Sequence, residues 1–173
     1  LLVPAAAQPA RSIGDYRNWA LVRGGNAERG RAIFHAPDRV ACAACHSVDG
    51  SNSKAGPDLI AVGDALPRRD LITAILEPNA AIAVGYGTTI VETKSGVSHI
   101  GVIKRADAGG LALMGPDGTL VTVAAAELKA QRPSPLSLMP EGLQAALTLP
   151  EFADLVDYLA SLRQPANALT AHR

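Results

Sequence analysis

The stretch VACAACHSVDG, residues 40–50, holds both cysteines of the chain and one of its four histidines. Cys42 and Cys45 are two residues apart, and His46 follows directly. The pattern C-x-x-C-H is typical of covalent haem attachment, in which two thiols add to the ring's vinyl groups and the histidine binds the iron. The spacing suits this chemistry, because one turn of chain presents both sulfurs along one porphyrin edge and the next imidazole beneath the ring. We therefore predict that the chain binds one haem c.

Three other uses of the cysteines are alternatives. A thioredoxin-like dithiol favours a strand before the motif and a helix that opens at the first cysteine, whereas here a predicted helix comes before it. A zinc site needs four ligands, and outside the motif only the scattered His35, His99 and His172 could add to it. A disulfide between Cys42 and Cys45 would close a short, strained and reducible loop.

Composition limits the function and supports a bound cofactor. The 173 residues are enough for one domain, or one domain with a sizeable insertion. Hydrophobic residues make up 48% of the chain but aromatic residues only 3%, so a flat apolar porphyrin would supply burial that the side chains lack. The 16 basic and 16 acidic residues cancel, which argues against nucleic acid or an anionic membrane as the main partner.

The ends of the chain carry less information. The opening, LLVPAAAQPA, resembles the end of an apolar export segment followed by small residues, and the alternative is an Ala- and Pro-rich linker. We assign residues 1–24 to an export-signal remnant or an N-terminal linker or extension, and residues 164–173 to a C-terminal tail. We expect a periplasmic or otherwise exported bacterial protein. No apolar run approaches the roughly 20 residues that span a bilayer, so no transmembrane segment is predicted.

Three segments have the helical period of 3.6 residues. They are NAERGRAIFH (26–35), LPRRDLITAILEP (66–78) and TLPEFADLVDYLASLR (148–163). The first has Asn26 as its predicted N-cap, the second ends at Pro78, and the third begins with a capping box of Thr148 and Glu151. These features predict three amphipathic helices.

Residues 86–131 change to a period near 2, which is typical of strands. TTIVETKSGVSHIGVIKRA and LALMGPDGTLVTV each consist of two short runs around a turn. Four strands in succession predict a small antiparallel meander inserted in a helical chain. We therefore predict a mainly α fold around the haem, with an inserted β subdomain.

The second axial ligand of the iron has two methionine candidates, Met114 and Met139. A thioether sulfur is a soft ligand that suits haem iron. Met114 ends the strand LALM, where a methionine ordinarily serves in packing. Met139 lies in PSPLSLMPEG, a proline-rich loop suited to delivering one side chain to one point. This favours Met139, while Met114, a histidine or an open position remain alternatives.

Taken together, these segments resemble class I c-type cytochromes. The resemblance rests on an order of features: a helix, CAACHSVDG, GPDL, a middle helix, SLMP and a terminal amphipathic helix. Residues 25–163 are most similar to the haem-binding CxxCH domain at the C-terminus of large bacterial dehydrogenase-like propeller proteins, in which ILEPNAAIAVGY and RPSPLSLMPEGL recur. The resemblance implies a cytochrome c domain at residues 25–163, interrupted by the β-rich insertion at residues 86–131.

The resemblance also implies roles for single residues. Cys42 and Cys45 would form the thioether bonds, His46 would be the proximal iron ligand and Met139 the distal one. The carbonyl of Pro57 would accept a hydrogen bond from the ring N–H of His46. The haem would also pack against Leu59, and Gly30 and Phe34 of the first helix would meet Leu155, Tyr158 and Leu159 of the last.

The function implied is electron transfer and not catalysis. A monohaem cytochrome with both axial positions filled would pass single electrons between redox partner proteins, such as a dehydrogenase donor and an oxidase or other cytochrome acceptor. The alternative is a haem enzyme or gas sensor, whose sixth coordination position would be open or displaceable.

Overall fold

The computed structural model describes residues 11–164. Its helices are α1 (Ile13–Val22), α2 (Ala27–His35), α3 (Cys42–Cys45), α4 (Val62–Ala65), α5 (Arg68–Leu76) and α6 (Leu149–Ser161). Its strands are β1 (Thr88–Thr93), β2 (Ser98–Asp107), β3 (Gly110–Met114), β4 (Leu120–Ala124) and β5 (Leu128–Pro133). The export-like opening LLVPAAAQPA lies outside the described residues, as does the predicted tail from residue 165 onward.

The three predicted helices are confirmed as α2, α5 and α6. The side chain of Asn26 accepts a hydrogen bond from the backbone N–H of Arg29 and so caps α2. The predicted capping box of Thr148 and Glu151 opens α6. Helix α5 ends at Leu76, two residues before the proline that cannot continue it. Local sequence signals therefore place these helix ends well.

Helix α1 was not anticipated within the N-terminal extension. It begins with a capping box of Ser12 and Asp15. Its apolar residues fall on both faces, because Tyr16 and Ala20 are buried whereas Val22 is 78% exposed. The hydroxyl of buried Tyr16 donates a hydrogen bond to the carbonyl of Leu147 at 2.7 Å. Residues 13–22 are thus part of the helical core.

Helix α2 crosses α6 in the helical core. Gly30 and Phe34 face α6, and the rings of Phe34 and Tyr158 lie 5.4 Å apart in an edge arrangement. Buried Asp154 of α6 accepts hydrogen bonds from the guanidinium of Arg29 at 2.7 and 2.9 Å. The contact that the resemblance implied between the first and last cytochrome-like helices is therefore present, and an ion pair reinforces it.

The inserted sheet has five strands and not the four predicted, in the order β4-β3-β2-β1-β5, with every neighbouring pair antiparallel. Strand β5 pairs with β1 on the side away from β2. Its residues, LKAQRP, are exposed except for half-buried Leu128, so they show no alternation that could reveal a strand. With five strands the fold is mixed α and β, which corrects the prediction of a mainly α protein.

The sheet has a hydrophobic core of its own. Val91, Leu111, Leu113 and Val123 are buried together on one face, in a cluster separate from that of the helices. This separate core supports the prediction of an embedded β subdomain. Within residues 11–164, no helix has both the length and the apolar character needed to cross a bilayer.

Candidate functional site

The two cysteines and the histidine are arranged by one short turn of helix. Ala41 has a left-handed backbone, with φ 46°, and the chain then turns into α3, which runs from Cys42 to Cys45. The backbone N–H of His46 donates to the carbonyl of Cys42 at 2.9 Å and closes this turn. Both cysteines are free thiols and partly exposed. The turn therefore places two free thiols and the imidazole within five consecutive residues.

The imidazole of His46 is oriented by a backbone carbonyl. Its Nδ1 lies 2.8 Å from the carbonyl oxygen of Pro57, which accepts the ring N–H. This is the contact that the resemblance implied, and it leaves Nε2 as the nitrogen with a lone pair for a metal. Burial lowers the pKa of His46, although the Pro57 contact acts in the opposite direction. The ring is therefore held in the neutral form that binds iron.

Gly56 packs directly against this ring. A Cβ atom at Gly56 would lie 2.5 Å from Cε1 and 2.7 Å from Nδ1 of His46. Its backbone N–H also donates to the carbonyl of Cys45 at 2.7 Å, so the chain cannot easily move away. Gly56 thus leaves the space that the imidazole needs. Its role is not evident from the sequence, because its contact with His46 crosses a loop without regular periodicity.

We expect Gly56→Ala to displace the imidazole of His46. An added methyl group in a packed site costs about 1 to 3 kcal/mol, and here its nearest neighbours are atoms of the ring itself. The expected result is a lower yield of haem-containing protein with an altered absorption spectrum, measured beside Gly87→Ala, where nothing lies within 4 Å of the new atom. A Gly56→Ala spectrum identical to that of the unmodified protein would contradict this role.

Asp58 organises the loop that carries Pro57. Its carboxylate accepts hydrogen bonds from the hydroxyl of Ser47 at 2.5 Å and from the backbone N–H groups of Gly50 at 2.9 Å and Ile60 at 2.8 Å. Burial alone would raise the pKa of Asp58, but these hydrogen bonds outweigh it and lower the pKa. A charged Asp58 therefore fixes the loop at neutral pH. Sequence reasoning gave Asp58 no role, although it stands within the quoted GPDL segment.

The two methionines lie in different parts of the fold. Met139 is half-buried and packs against the helical core, to which half-buried Cys42 and Leu59 also pack. Met114 is at the end of β3, where it pairs with Val102 and Leu120 in the sheet. The structure thus brings Met139, and not Met114, to the same hydrophobic cluster as the first cysteine of the motif.

The inserted sheet also reaches the motif. The carbonyl oxygen of Pro116, in the turn between β3 and β4, lies 3.9 Å from the Sγ atom of Cys45. A second contact joins the segment before β1 to the loop after the motif, because the hydroxyl of Tyr86 donates to the side chain of Asn52 at 3.0 Å. The insertion is therefore placed beside the candidate site.

The donor atoms and their surroundings fit a covalent haem. Several apolar side chains pack on the helical core and stay partly exposed, which suits contact with a flat apolar ring. They are Cys42, Ala43, Val48, Leu59, Val62, Leu66, Met139 and Leu143. Two thiols, one oriented imidazole and one thioether are also the donor set of a c-type haem.

The pKa of Cys42 argues against a dithiol redox site. Burial raises the pKa of the Cys42 thiol to about 11. A reactive cysteine of a C-x-x-C redox pair instead has a lowered pKa, because the thiolate is the nucleophile. Cys42 therefore lacks the lowered pKa that a dithiol redox site requires.

Comparison with known proteins gives one family. The family model described as Cytochrome c matches residues 27–112. The matched region begins at the first residue of α2, includes the C-x-x-C-H motif and α5, and ends within β3. Met139 and α6 lie beyond it. No curated relative matches the chain.

Proposed function

This chain carries a cytochrome c domain, and from that premise we propose that it is a monohaem c-type cytochrome that transfers single electrons. One observation supports the proposal most. His46, next to two free cysteines on one helical turn, has its Nδ1 bound to the carbonyl of Pro57 and its Nε2 left for iron. We further propose that the domain extends over residues 25–163, with α1 packed against it, and is interrupted by the insertion at residues 86–131.

Each residue of the site has a proposed task. Cys42 and Cys45 hold the ring through thioether bonds, and His46 binds the iron through Nε2. Pro57 fixes the tautomer of the imidazole, and Leu59 packs against the ring. Met139 would supply a thioether sulfur as the second iron ligand. The bound haem supplies the one-electron chemistry of its iron.

Two iron ligands supplied by the chain would explain why such a site carries electrons without binding a substrate. With His46 and Met139 both in place, no coordination position is open to a substrate. The loop that holds His46 is fixed by the Pro57 and Asp58 contacts, so it has little freedom to rearrange between oxidation states. A small rearrangement favours rapid electron transfer.

The partners that we propose are redox proteins. A dehydrogenase would act as donor, and an oxidase or another cytochrome would act as acceptor, through the small transient interfaces typical of redox encounters. We propose a periplasmic or otherwise exported location, since cytochrome c domains are typically exported.

The axial role of Met139 is tested by replacing each methionine with leucine. Leucine has a similar volume and no sulfur, so packing changes little while the ligand is lost. We expect Met139→Leu to abolish the weak long-wavelength methionine-to-iron band of the ferric protein, to lower its reduction potential and to open the iron to cyanide. Met114→Leu is the matched control and should leave all three unchanged.

Other outcomes of this test would change the assignment. Survival of the band in Met139→Leu, with its loss in Met114→Leu, would transfer the role to Met114. A high-spin ferric spectrum in the unmodified protein, with ready binding of cyanide or carbon monoxide, would instead favour the haem enzyme or gas sensor.

A further inference from the structure

We propose that Asn79 is a positioning residue that holds the Met139 loop over the haem iron. The proposal rests on the proposed function, in which Met139 is the distal ligand. Asn79 itself does not contact the iron in this scheme. It acts through the loop segment 135–142, which contains Met139 and no α-helix or strand.

The side-chain amide of Asn79 contacts the loop on both sides of Met139. Its Oδ1 accepts a hydrogen bond from the backbone N–H of Ser137 at 2.7 Å. Its Nδ2 donates to Oε1 of Glu141 at 2.6 Å. These partners stand two residues before and two residues after Met139. One amide group therefore spans the part of the loop that would deliver the sulfur.

A third hydrogen bond connects this clamp to Met139 itself. The backbone N–H of Met139 donates to Oγ of Ser137 at 3.1 Å. Ser137 is thus held by Asn79 through its backbone and holds Met139 through its side chain. A shift of Ser137 would be passed directly to the backbone of Met139.

The clamp requires an amide and not merely a polar group. The Ser137 contact needs an acceptor and the Glu141 contact needs a donor, and only the observed orientation of the amide satisfies both. A carboxylate at position 79 would still accept from Ser137 but would repel Glu141. An apolar side chain would satisfy neither contact.

Asn79 is attached to a rigid part of the helical core. It follows α5, in which Ile75 and Leu76 are buried. The backbone N–H of Ala80 donates to the carbonyl of Glu77 at 2.9 Å and closes a turn around buried Pro78, whose ring fixes its backbone angle. The amide therefore connects the loop to the end of a core helix.

Loss of the clamp should raise the population of protein in which Met139 has left the iron. The clamp consists of one hydrogen bond to a neutral backbone group and one to a charged carboxylate, the stronger kind. Where the clamp is exposed, water replaces part of the lost hydrogen bonding. We therefore expect about a tenfold increase in the rate at which an external ligand reaches the iron.

The test compares ferric holoproteins of full length. Asn79→Ala should bind imidazole about tenfold faster than the unmodified protein, with a weaker methionine-to-iron band and a lower reduction potential. Asn18→Ala is the control, because Asn18 is an exposed asparagine on α1. Thermal unfolding is recorded for each variant to separate positioning of the ligand from general loss of stability.

An exchange of groups tests the contact with Glu141 directly. Asn79→Asp alone should speed imidazole binding, because two carboxylates would then face each other. The double variant Asn79→Asp with Glu141→Gln should restore slow binding, since the new amide can donate to the new carboxylate while Ser137 keeps its acceptor. Glu141→Gln alone serves as the reference for the double variant.

The outcomes separate this proposal from the proposed function. If the unmodified protein lacks the methionine-to-iron band, or Met139→Leu retains it, the distal role of Met139 is wrong. If Met139→Leu loses the band while Asn79→Ala binds imidazole at the unmodified rate, Met139 is the ligand and Asn79 does not position it. Rapid binding that the double variant fails to slow would likewise overturn the clamp.

Discussion

Replacing Cys42 and Cys45 together with serine is expected to give a protein without covalently attached haem. The hydroxyl group of serine does not form the thioether bonds, and these are the only two cysteines of the chain. In cells competent for haem maturation, the double variant should show no haem staining after denaturing electrophoresis. The unmodified protein should stain and should keep the added mass of the ring after denaturation.

The same variant should also lose much of its stability. Half-buried Leu59, and other apolar side chains that the ring would cover, would lose that contact. Each buried apolar side chain contributes about 1.5 to 3 kcal/mol, so even partial burial at several positions matters to a domain of this size. Unfolding by denaturant, followed by circular dichroism, should begin at a lower concentration and be less cooperative.

Controls within the motif distinguish the chemistry of sulfur from a general effect of substitution. Ala44→Ser changes an exposed residue of the same turn and should leave haem attachment intact. Each single cysteine variant retains one thiol and should attach less haem than the unmodified protein. A colourless unmodified protein, or covalent haem in the double variant, would refute the proposed cofactor site.

Gly30→Ala is expected to destabilise the fold more than Gly56→Ala or Gly87→Ala. The new Cβ would lie 2.0 Å from the carbonyl oxygen and 2.5 Å from the carbonyl carbon of Asp154, and 2.8 Å from Cβ of Tyr158. Two of these neighbours are backbone atoms of α6, so a change of rotamer cannot make room. The helices would have to separate, at a cost of about 3 kcal/mol.

The interactions at this crossing oppose such a separation. Asp154 accepts the backbone N–H of Asn26 at 2.6 Å and two hydrogen bonds from Arg29. Its side chain is almost fully buried, so moving α6 away would leave a carboxylate poorly compensated. The methyl group at Gly30 therefore disturbs both the packing and the hydrogen bonds of a buried carboxylate.

Gly14→Ala provides the matched comparison. Gly14 also lies in a helix, but its added Cβ would have only Oγ of Ser12 as a neighbour, at 3.5 Å. Alanine favours helix by about 0.5 to 1 kcal/mol over glycine, so this variant should be slightly more stable. Denaturant unfolding of both holoproteins should show opposite shifts, and a neutral or stabilising Gly30→Ala would contradict the described crossing.

The features that could be predicted are those that neighbouring residues specify. Cys42, Cys45 and His46 lie within one turn, so their spacing alone indicates the chemistry of attachment. Asn26 and the Thr148–Glu151 box act on N–H groups no more than three residues away, so the local sequence is enough to predict where these helices begin. The insertion was recognised because β-branched runs around turn residues are local signals of strands.

The features that could not be predicted depend on contacts between distant segments. Strand β5 is specified by backbone pairing with β1, about 40 residues earlier, and not by a pattern of its own side chains. Helix α1 carries apolar residues on both faces, so its buried side became evident only from its packing against α5 and α6.

The same physical difference divides the site. The residues proposed to bind the haem could be named from the amino-acid sequence alone, because a ligand is defined by its own donor atom. The residues that hold those ligands, Gly56 against the ring of His46 and Asn79 across the loop of Met139, have ordinary side chains or none. Their roles arise from what folding places beside them, since space and hydrogen-bond geometry between distant segments exist only once the chain has folded.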